Sequence, residues 1–590
     1  MSAQRPTYVL GINDGVVATA CLLADGRVVA CVSEERLTRQ KNQAGLPTRA
    51  IAWCLEAAGI SSEALALVAL STATMPPFFY EESPSPQQRQ FHTMAAMDRW
   101  LINRHHPWAT SVERALYDWL APRAGRRFLI QRHRILAQLL KIPVERIAAF
   151  DHHTAHGAAA LWASPFPSRK QSVLVLTADG EGDLASATVS RYGEGRWERV
   201  ATTHLADSLG HFYSAVTEHL GMRPHDHEYK VMGLAPYASA AAREEAAQRL
   251  RRLLQLREDL TFHAAIHMRA CRSYLRRALK DLRFDAVAAA AQVITESLLT
   301  SWCAQAMERT GLETVVAGGG VFMNVKANMQ LAALPGLREL FVMPSPGDES
   351  TAFGAACLGY QRIRPGASIE PIRDLFWGPS VEAADIRQAL EGRHQPHWKV
   401  TEPPLMAAAV AAVLAQGSAV ARVAGRMEWG ARALGHRSIL ADAARPGVVD
   451  EINRAIKQRD FWMPFAPAIL DTAMPEYVRS PDPAKVNAQY MMVAFEGTDR
   501  ARRDLRGGMH AYDNTLRAQC VTSQWDPDYY DTVRRFGHLT GRFGLVNTSY
   551  NIHGEPMVCT ANDALSTFER SGLRYLALGP YLVEKMAIPR

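Results

Sequence analysis

One pattern occurs twice in this sequence, and it limits the fold more than any other feature. The first copy, within residues 8–37, has an apolar run, a glycine-containing loop, a second apolar run, an Asp25-Gly26 turn and a third run. The second copy, residues 173–200, repeats this order with a glycine-rich turn at 193–196. Apolar runs on both sides of such a turn predict a β-hairpin. Two strand–loop–hairpin units therefore indicate an internal duplication.

The stretch 151–156, DHHTAH, follows an apolar run and precedes an alanine-rich run. This order predicts a strand end followed by a helix. Residues four apart on a helix project from one face, so His152 and His156 can point at one ion while His153 is turned aside. Imidazole nitrogens are good ligands for first-row metals. For an isolated pair, the alternative is a helix start with hydrogen-bonded or solvent-facing histidines.

Two aspartates stand just after predicted strands. Asp179 follows the apolar run 173–176, and Asp348 lies on a loop after the run 340–343. Either aspartate alone is typical of a helix cap or a turn. Together with the two histidines they form a donor set that suits Fe(II), Mn or Zn acting as a Lewis acid.

Three further stretches have features of anion binding. A glycine triplet, 318–320, follows an apolar run and lets backbone amides approach a nucleotide or phosphate. The stretches 425–438 and 453–467 place Lys and Arg among glycines and a serine, which suits phosphate binding. A surface helix with ordinary basic residues is the alternative for these stretches.

The composition narrows the function classes. A net charge of +7 over 590 residues is small for a nucleic-acid-binding protein and suits an anionic small substrate equally well. None of the eight cysteines forms a CxxC pair, which argues against a zinc knuckle and a secreted disulfide framework. The N-terminus has no signal-peptide pattern, and no apolar run approaches a membrane span. We expect a cytoplasmic protein without a nucleic-acid or membrane partner.

We predict an α/β fold with two domains. The first comprises residues 1–362, a linker covers 363–380, and a second, α+β domain covers 381–590. Residues 75–145 interrupt the pattern with prolines and then Arg- and Trp-bearing helical stretches. We interpret them as a helical insertion, either an acceptor pocket or partner surface, or a cover over the core.

The duplicated hairpins resemble the actin/Hsp70/sugar-kinase (ASKHA) superfamily, in which two such halves hold ATP between them. Over nearly its whole length, the chain also resembles the O-carbamoyltransferases of the NodU/CmcH type, which carbamoylate hydroxyls of Nod factors and antibiotics. That similarity rests on ordered motifs: EERLTRQK, DHHTAHGAAA, TADGEGD, YKVMGLAPY, GGGVFMN, PGDESTAFGAA, GRMEWGARALGHRSIL, NRAIKQRDFWMPFAP and NTSYNIHGEP.

The resemblance implies two reactions. A second domain similar to YrdC would form carbamoyl-adenylate from carbamoyl phosphate and ATP, with Mg²⁺ as a companion of the ATP. The first domain would transfer the carbamoyl group to a hydroxyl of a small natural product, such as an antibiotic or macrocycle, with Fe(II) or another divalent first-row metal. Homodimer formation is left open.

By motif, the resemblance also implies site residues. The metal ligands would be His152, His156, Asp179 and Asp348. The nucleotide and carbamoyl phosphate would be held by Gly210, Lys230, Gly320, Asn324, Arg432, Lys457, Arg459, Asn547 and Ser549. The candidate catalytic residues are Asp14, Lys41 and His153.

One departure from the family pattern concerns the base. The family commonly has His-Asp after the first glycine loop, where this chain has Val16 and Val17. We therefore expect Asp14 or the adenylate phosphate to take the proton, and an acceptor less polar than an aminoglycoside.

Two alternatives stay open. The same two-domain similarity and the basic pI are also consistent with a tRNA threonylcarbamoyl-modifying enzyme. The duplicated hairpins alone are consistent with a nucleotide-gated, actin-like binding protein, which would have no use for the two histidines and two aspartates.

Overall fold

The computed structural model describes residues 6–74, 128–393 and 395–586. The stretch 75–127, most of the expected helical insertion, lies outside the described residues. The chain forms two compact units. The first comprises residues 1–34 and 42–372, and the second comprises Glu35–Lys41 and Arg373–Arg590. Both units mix helices and strands, which confirms the predicted α/β class.

The first unit contains twelve strands among its described residues. They are β1 Tyr8–Asn13, β2 Thr19–Ala24, β3 Arg27–Ser33, β4 Leu65–Leu70, β5 Ile147–Ala149, β6 Val173–Gly182, β7 Ala185–Gly193, β8 Arg196–His204, β9 Leu254–Leu256, β10 Phe262–Ala264, β11 Thr314–Gly318 and β12 Glu339–Val342. Its helices, of which the first spans the boundary at residue 35, are α1 Glu34–Thr38, α2 Thr48–Ala57, α3 His152–Ala163, α4 Leu209–His219, α5 Glu228–Leu234, α6 Ala240–Leu250, α7 Arg272–Ala278, α8 Phe284–Thr310, α9 Val325–Ala332 and α10 Glu349–Ile363. Residues 128–140 are also helical.

Two five-stranded sheets of the first unit share one topology. Their strand orders are β3-β2-β1-β4-β5 and β8-β7-β6-β11-β12. In each, the central strand pairs antiparallel with its hairpin and parallel with the strand on its other side. The two outer hairpin turns, Asp25-Gly26 and Glu194-Gly195, have positive φ at both residues, as turns that match the twist of the strands require. This repeat confirms the duplication predicted from the sequence.

Helix α10 lies against both β1 and α3, and two glycines make this close approach feasible. A β-carbon on Gly11 would lie 1.9 Å from the carbonyl oxygen of Ala352. One on Gly354 would lie 1.9 Å from the carbonyl oxygen of Ala155. The helix backbones therefore touch directly, which holds the start of α10 beside the start of α3.

The second unit is built on a mixed sheet of eight strands, in the order β13-β22-β21-β14-β15-β20-β16-β19. Its strands are β13 Trp398–Thr401, β14 Val420–Val423, β15 Arg437–Ala441, β16 Ala466–Leu470, β17 Phe495–Glu496, β18 Thr515–Leu516, β19 Gln519–Val521, β20 Gly544–Ser549, β21 Tyr575–Leu578 and β22 Tyr581–Lys585. Its helices are α11 Ala383–Gly392, α12 Met406–Ala415, α13 Val448–Ile452, α14 Met474–Tyr477, α15 Asp499–Asp504, α16 Pro527–Thr540 and α17 Ala561–Arg570.

The expected linker, residues 363–380, partly belongs to the second unit, whose longer segment begins at Arg373. There Trp377 stacks on Trp429 with ring centroids 5.5 Å apart, and Ser380 forms a β-bridge with Arg426. Among the helices that the structure describes, none has both the length and the apolar character needed to cross a lipid bilayer.

Candidate metal centre

Helix α3 directs two histidines to one point. Its cap, Asp151, accepts hydrogen bonds from the backbone N–H and the hydroxyl of Thr154, at 2.8 and 2.6 Å. His152 and His156 follow on the same helix face, and both side chains are buried. Their Nε2 atoms lie 3.1 Å apart. At this distance two lone pairs repel, so the pair needs a proton or a cation between the nitrogens.

Two carboxylates complete the cluster. Asp179 in β6 places Oδ2 3.5 Å from His152 Nε2 and 4.0 Å from His156 Nε2. Asp348, just before α10, places Oδ1 at 3.6 and 3.5 Å from the same two atoms. One donor atom from each of the four residues lies within 4.8 Å of all the others. The structure thus brings together the four ligands expected from distant parts of the sequence.

The spacing of these donors fits a divalent first-row cation. Metal bonds of about 2.0–2.2 Å to nitrogen and oxygen put adjacent donors of an octahedron about 2.9 Å apart and opposite donors about 4.2 Å apart. The separations from either histidine nitrogen to the other donors, 3.1 to 4.0 Å, lie within this range. Asp348 has the most exposed side chain of the four, at 27 %, so a substrate atom would approach from its side.

Electrostatics within the cluster favour opposite charges. Burial opposes the charged form of His152, but its hydrogen bond to Asp179 and the charge of Asp348 raise its pKa to about 9. Burial raises the pKa of Asp179, but the hydrogen bond from His152 and the charge of the nearby His156 outweigh it and hold this pKa well below the usual range. The carboxylate of Asp179 therefore stays ionised, as a ligand of a cation must.

Outer contacts orient two of the four side chains. Gly320, the last residue of the glycine triplet 318–320, donates its backbone N–H to Asp179 Oδ1 at 2.7 Å. This leaves Oδ2 directed at the histidines. Nδ1 of His156 lies 3.3 Å from the hydroxyl of Ser350 on α10. Partners of this kind fix the direction of a ligand and the tautomer of a histidine.

The other residues expected to bind nucleotide in the first unit have structural contacts. A β-carbon on Gly210 would lie 2.7 Å from the carbonyl oxygen of Asp179, so this glycine packs against the cluster. Asn324 caps α9 through the N–H of Ala327, and its side chain exchanges hydrogen bonds with Gln292. Lys230 lies on α5 with a half-buried side chain. Their part in nucleotide binding stays a prediction.

Asp14 lies in a buried ion pair. Its two oxygens accept hydrogen bonds from Arg132 at 2.9 and 2.7 Å, and both side chains are fully buried. Arg132 also donates to the carbonyl oxygen of Thr72. Because a base must reach its substrate, this geometry favours a structural role for Asp14 over the expected catalytic one.

His153 is turned away from the cluster, as its position in the helix predicted. Its Nδ1 lies 2.8 Å from the hydroxyl of Thr177, which in turn bonds to Thr188 at 2.6 Å. Burial and the neighbouring His152 and His156 lower the pKa of His153 to about 3, so its ring is neutral. Its expected catalytic role stays a prediction.

In the second unit, polar side chains gather around Lys457. This lysine ends a π-helical turn, Asn453–Lys457, and its buried ammonium group donates to Ser549 Oγ at 3.0 Å and Asn551 Oδ1 at 2.7 Å. Asn547, two residues before Ser549 on β20, donates to Gln519 at 2.8 Å. The expected residues Lys457, Asn547 and Ser549 thus lie on one strand and the turn next to it.

Several cations lie near one another in this region. Burial and the positive charges of Arg459 and Lys41 lower the pKa of Lys457 well below its ordinary value. Burial and the charges of Arg432 and Arg459 likewise lower the pKa of Arg517 well below its ordinary value. Such mutual repulsion is relieved when an anion binds, and guanidinium and ammonium groups suit phosphate. We call Lys41, Arg432, Lys457, Arg459 and Arg517 the cation cluster.

Lys41 reaches this cluster because the segment Glu35–Lys41 belongs to the second unit. Within that unit, Arg36 donates to the carbonyl oxygen of Gly430 at 2.8 Å, and Arg39 donates to that of Pro556 at 2.8 Å. The sequence indicated an active role for Lys41 but not that its segment packs with residues 430–560.

Sequence reasoning missed other residues. Arg517 is a single basic residue between apolar neighbours and gives no signal. Asn551 stands within the motif NTSYNIHGEP, so its polar type was the available signal. Gly182 and Asp183 contact His152 from a turn, which only the folded chain reveals.

Comparisons with known proteins match both units. The family model described as "Carbamoyltransferase N-terminus" matches residues 9–357, and "Carbamoyltransferase C-terminus" matches residues 411–585. Nodulation protein NolNO of Sinorhizobium fredii is 30% identical over 97% of this chain and 79% of its own length. An uncharacterized protein of Synechocystis is 30% identical over 99% of this chain and 98% of its own.

Among solved structures, component A of (R)-2-hydroxyglutaryl-CoA dehydratase from Acidaminococcus fermentans is similar at a TM-score of 0.32 and 14% identity. The similarity covers 61% of this chain and 99% of that one. A similarity at this level carries no argument about function.

Proposed function

This chain belongs to the carbamoyltransferase family and is a carbamoyltransferase, and from that premise we propose that it is a two-step O-carbamoyltransferase. The second unit would form carbamoyl-adenylate from carbamoyl phosphate and ATP. The first would transfer the carbamoyl group to a hydroxyl of a small natural product. The observation that carries the proposal is the convergence of two histidines and two aspartates within 4.8 Å.

The cation cluster supports the first step. Water releases phosphate from carbamoyl phosphate and leaves carbamate, whose oxygen attacks the α-phosphorus of ATP. The bond between the α-phosphorus and the bridging oxygen breaks, and pyrophosphate leaves. Arg432, Arg459 and Arg517 would hold phosphate oxygens as two-pronged donors, and Lys457 would act as a point charge beside Ser549. Mg²⁺ would accompany the ATP.

The four-residue cluster supports the second step. The acceptor hydroxyl attacks the carbamoyl carbon, the bond to the adenylate oxygen breaks, and AMP leaves. A divalent cation held by His152, His156, Asp179 and Asp348, which we propose to be Fe(II), would supply Lewis-acid polarisation of the carbamoyl oxygen. Asp179 is held for this by Gly320, so its free oxygen faces the histidines.

The proton of the acceptor hydroxyl needs a destination. Asp14 is bonded to Arg132 through both oxygens, and Val16 and Val17 stand where the family commonly has His-Asp. We therefore assign the proton to the phosphate of the departing AMP. The apolar side chains at 16 and 17 also favour an acceptor less polar than an aminoglycoside.

The fold assignment belongs to the same proposal. The repeated strand order of the first unit supports an ASKHA-type domain for residues 1–362, and we propose a YrdC-like domain for residues 381–590. The expected linker, 363–380, would then contribute its last residues to the second domain, as their packing against Trp429 supports.

The experiment is a coupled assay with purified protein, Fe(II), ATP, carbamoyl phosphate and a panel of alcohols from natural-product classes. We expect pyrophosphate release that depends on carbamoyl phosphate, and one alcohol that gains the mass of one carbamoyl group. No pyrophosphate release under any metal condition would contradict the proposal.

A further inference from the structure

The turn between β6 and β7 touches the metal cluster at one point, His152. The carboxylate of Asp183, in this turn, accepts a hydrogen bond from the backbone N–H of His152 at 2.8 Å. It also accepts from the backbone N–H groups of Ala73 at 3.0 Å and Thr74 at 2.8 Å, and from the Thr74 hydroxyl at 2.6 Å. One carboxylate therefore joins three separate segments at the first residue of α3.

Gly182, the residue before, contacts the ring of the same histidine. A β-carbon on Gly182 would lie 2.1 Å from Cδ2 and 2.2 Å from Cγ of His152. The imidazole thus lies directly against the backbone of β6, in space that any side chain would fill. The clash involves the atoms at the base of the ring, so it cannot be relieved by a movement of the ring tip alone.

The turn itself holds Leu184 in a conformation that leucine does not favour. Asp183 has φ of 47° and Leu184 has φ of 71°. Aspartate is among the residues that tolerate such angles, but a leucine there persists only when the surroundings hold it. The hydrogen bonds to Ala73, Thr74 and His152 are such surroundings.

We propose that Gly182 and Asp183 are positioning residues for His152: Gly182 leaves the space in which the imidazole lies, and Asp183 fixes the backbone from which it projects. Neither residue belongs to the four expected ligands. This inference rests on the proposed function, because His152 needs a fixed orientation if it is a metal ligand. Contacts of this kind typically change metal affinity by about 10–100-fold when they are removed.

The test is Co(II) binding to the full-length protein, measured by titration calorimetry and by the d–d absorption of the bound ion. Gly182→Ala and Asp183→Ala should each raise the Kd for Co(II) by about 10–100-fold and change the absorption spectrum. Asp183→Asn keeps one acceptor oxygen and should recover part of the affinity, which a loss of folding would not allow.

Two matched controls separate positioning from general stability. Gly180→Ala changes a glycine of the same strand, where the nearest atom to a β-carbon would be 3.6 Å away. Ser239→Ala removes the side-chain cap of α6, a helix that carries none of the four cluster residues. The first should keep the wild-type melting temperature, the second should lower it, and both should keep the Co(II) spectrum.

The outcomes are distinct. If Gly182→Ala and Asp183→Ala bind Co(II) with the wild-type Kd and spectrum, this inference is wrong and the proposed function stands. If the wild-type protein binds no Co(II), the proposed metal centre is wrong and this inference is overturned with it.

Discussion

Lys457 and His156 lie in different units, and the two proposed steps should respond to them separately. Lys457→Ala removes a buried ammonium group that donates to Ser549 and Asn551. Losing a charged hydrogen-bonding partner costs about 1.5–3 kcal/mol, so we expect pyrophosphate release to fall by about 10–100-fold or more. His156→Ala should leave pyrophosphate release intact and block transfer to the alcohol.

Two substitutions serve as controls for this pair. Lys485→Ala removes an exposed lysine of the second unit, and His219→Ala removes a half-buried histidine of the first. Each of these variants should release pyrophosphate and transfer the carbamoyl group at the wild-type rates. Equal loss of the two steps in His156→Ala would contradict the assignment of the metal cluster to transfer.

The ion pair of Asp14 and Arg132 leads to a stability prediction. Asp14→Asn leaves the guanidinium buried without its charge partner, which typically costs about 3–5 kcal/mol. Glu198→Ala breaks the exposed pair of Arg191 and Glu198 and should cost less than about 1 kcal/mol. Denaturant unfolding of the two variants measures both values. A loss in Asp14→Asn as small as in Glu198→Ala would argue against a structural role for Asp14.

At the residue level, sequence reasoning reached the side chains whose type and spacing carry the chemistry. His152 and His156 are four residues apart on a helix, and Asp179 and Asp348 follow apolar runs that predict strands. The local sequence pattern therefore indicates each of these residues as a candidate ligand. Arg517 and Asp183 could not be found in this way. Their partners lie far away in the chain, and the type and spacing of the neighbouring residues do not indicate these contacts.

Among the elements, the contact between α3 and α10 sets the distance between the histidines and Asp348. Gly354→Ala would place a β-carbon 1.9 Å from the carbonyl oxygen of Ala155. A backbone atom cannot rotate away, so the helices must move apart, at a cost of about 1–3 kcal/mol or more. We expect a lower melting temperature and weaker Co(II) binding.

Gly180→Ala is the comparison for Gly354→Ala, because a β-carbon there meets only an ordinary contact at 3.6 Å. Wild-type Co(II) affinity in Gly354→Ala would show that the helix contact does not set the ligand distance.

The hairpins could be predicted because their turns are local. Asp25-Gly26 and Glu194-Gly195 adopt the positive φ angles that such turns require, and the apolar runs beside them supply the strands. The packing of α10 against β1 and α3 could not be predicted, because Gly11 and Gly354 look like ordinary glycines until their distant neighbours are known.

At the scale of the whole molecule, the chain path differs from the simple order of two domains. The longer segment of the second unit begins at Arg373, within the expected linker, and the unit also includes Glu35–Lys41 from an early part of the chain. This could not be predicted from the sequence, because Arg36 and Arg39 donate to the backbone carbonyl oxygens of Gly430 and Pro556, which every residue type carries.

Metal binding should stabilise the whole protein only through the intact cluster. A ligand that binds only the folded state at 100 times its Kd adds about 2.7 kcal/mol of stability. Co(II) should therefore raise the midpoint temperature of the calorimetric unfolding transition of the wild-type protein, and a chelator should lower it again. The same shift in His156→Ala would mean that the ion binds elsewhere.

The most direct measurement is anomalous diffraction from crystals grown with Fe(II). We expect one strong anomalous peak at about 2.0–2.2 Å from Nε2 of His152 and His156 and from carboxylate oxygens of Asp179 and Asp348. Fe(II) bound at another place, or no ion at these four side chains in protein that transfers the carbamoyl group, would contradict it.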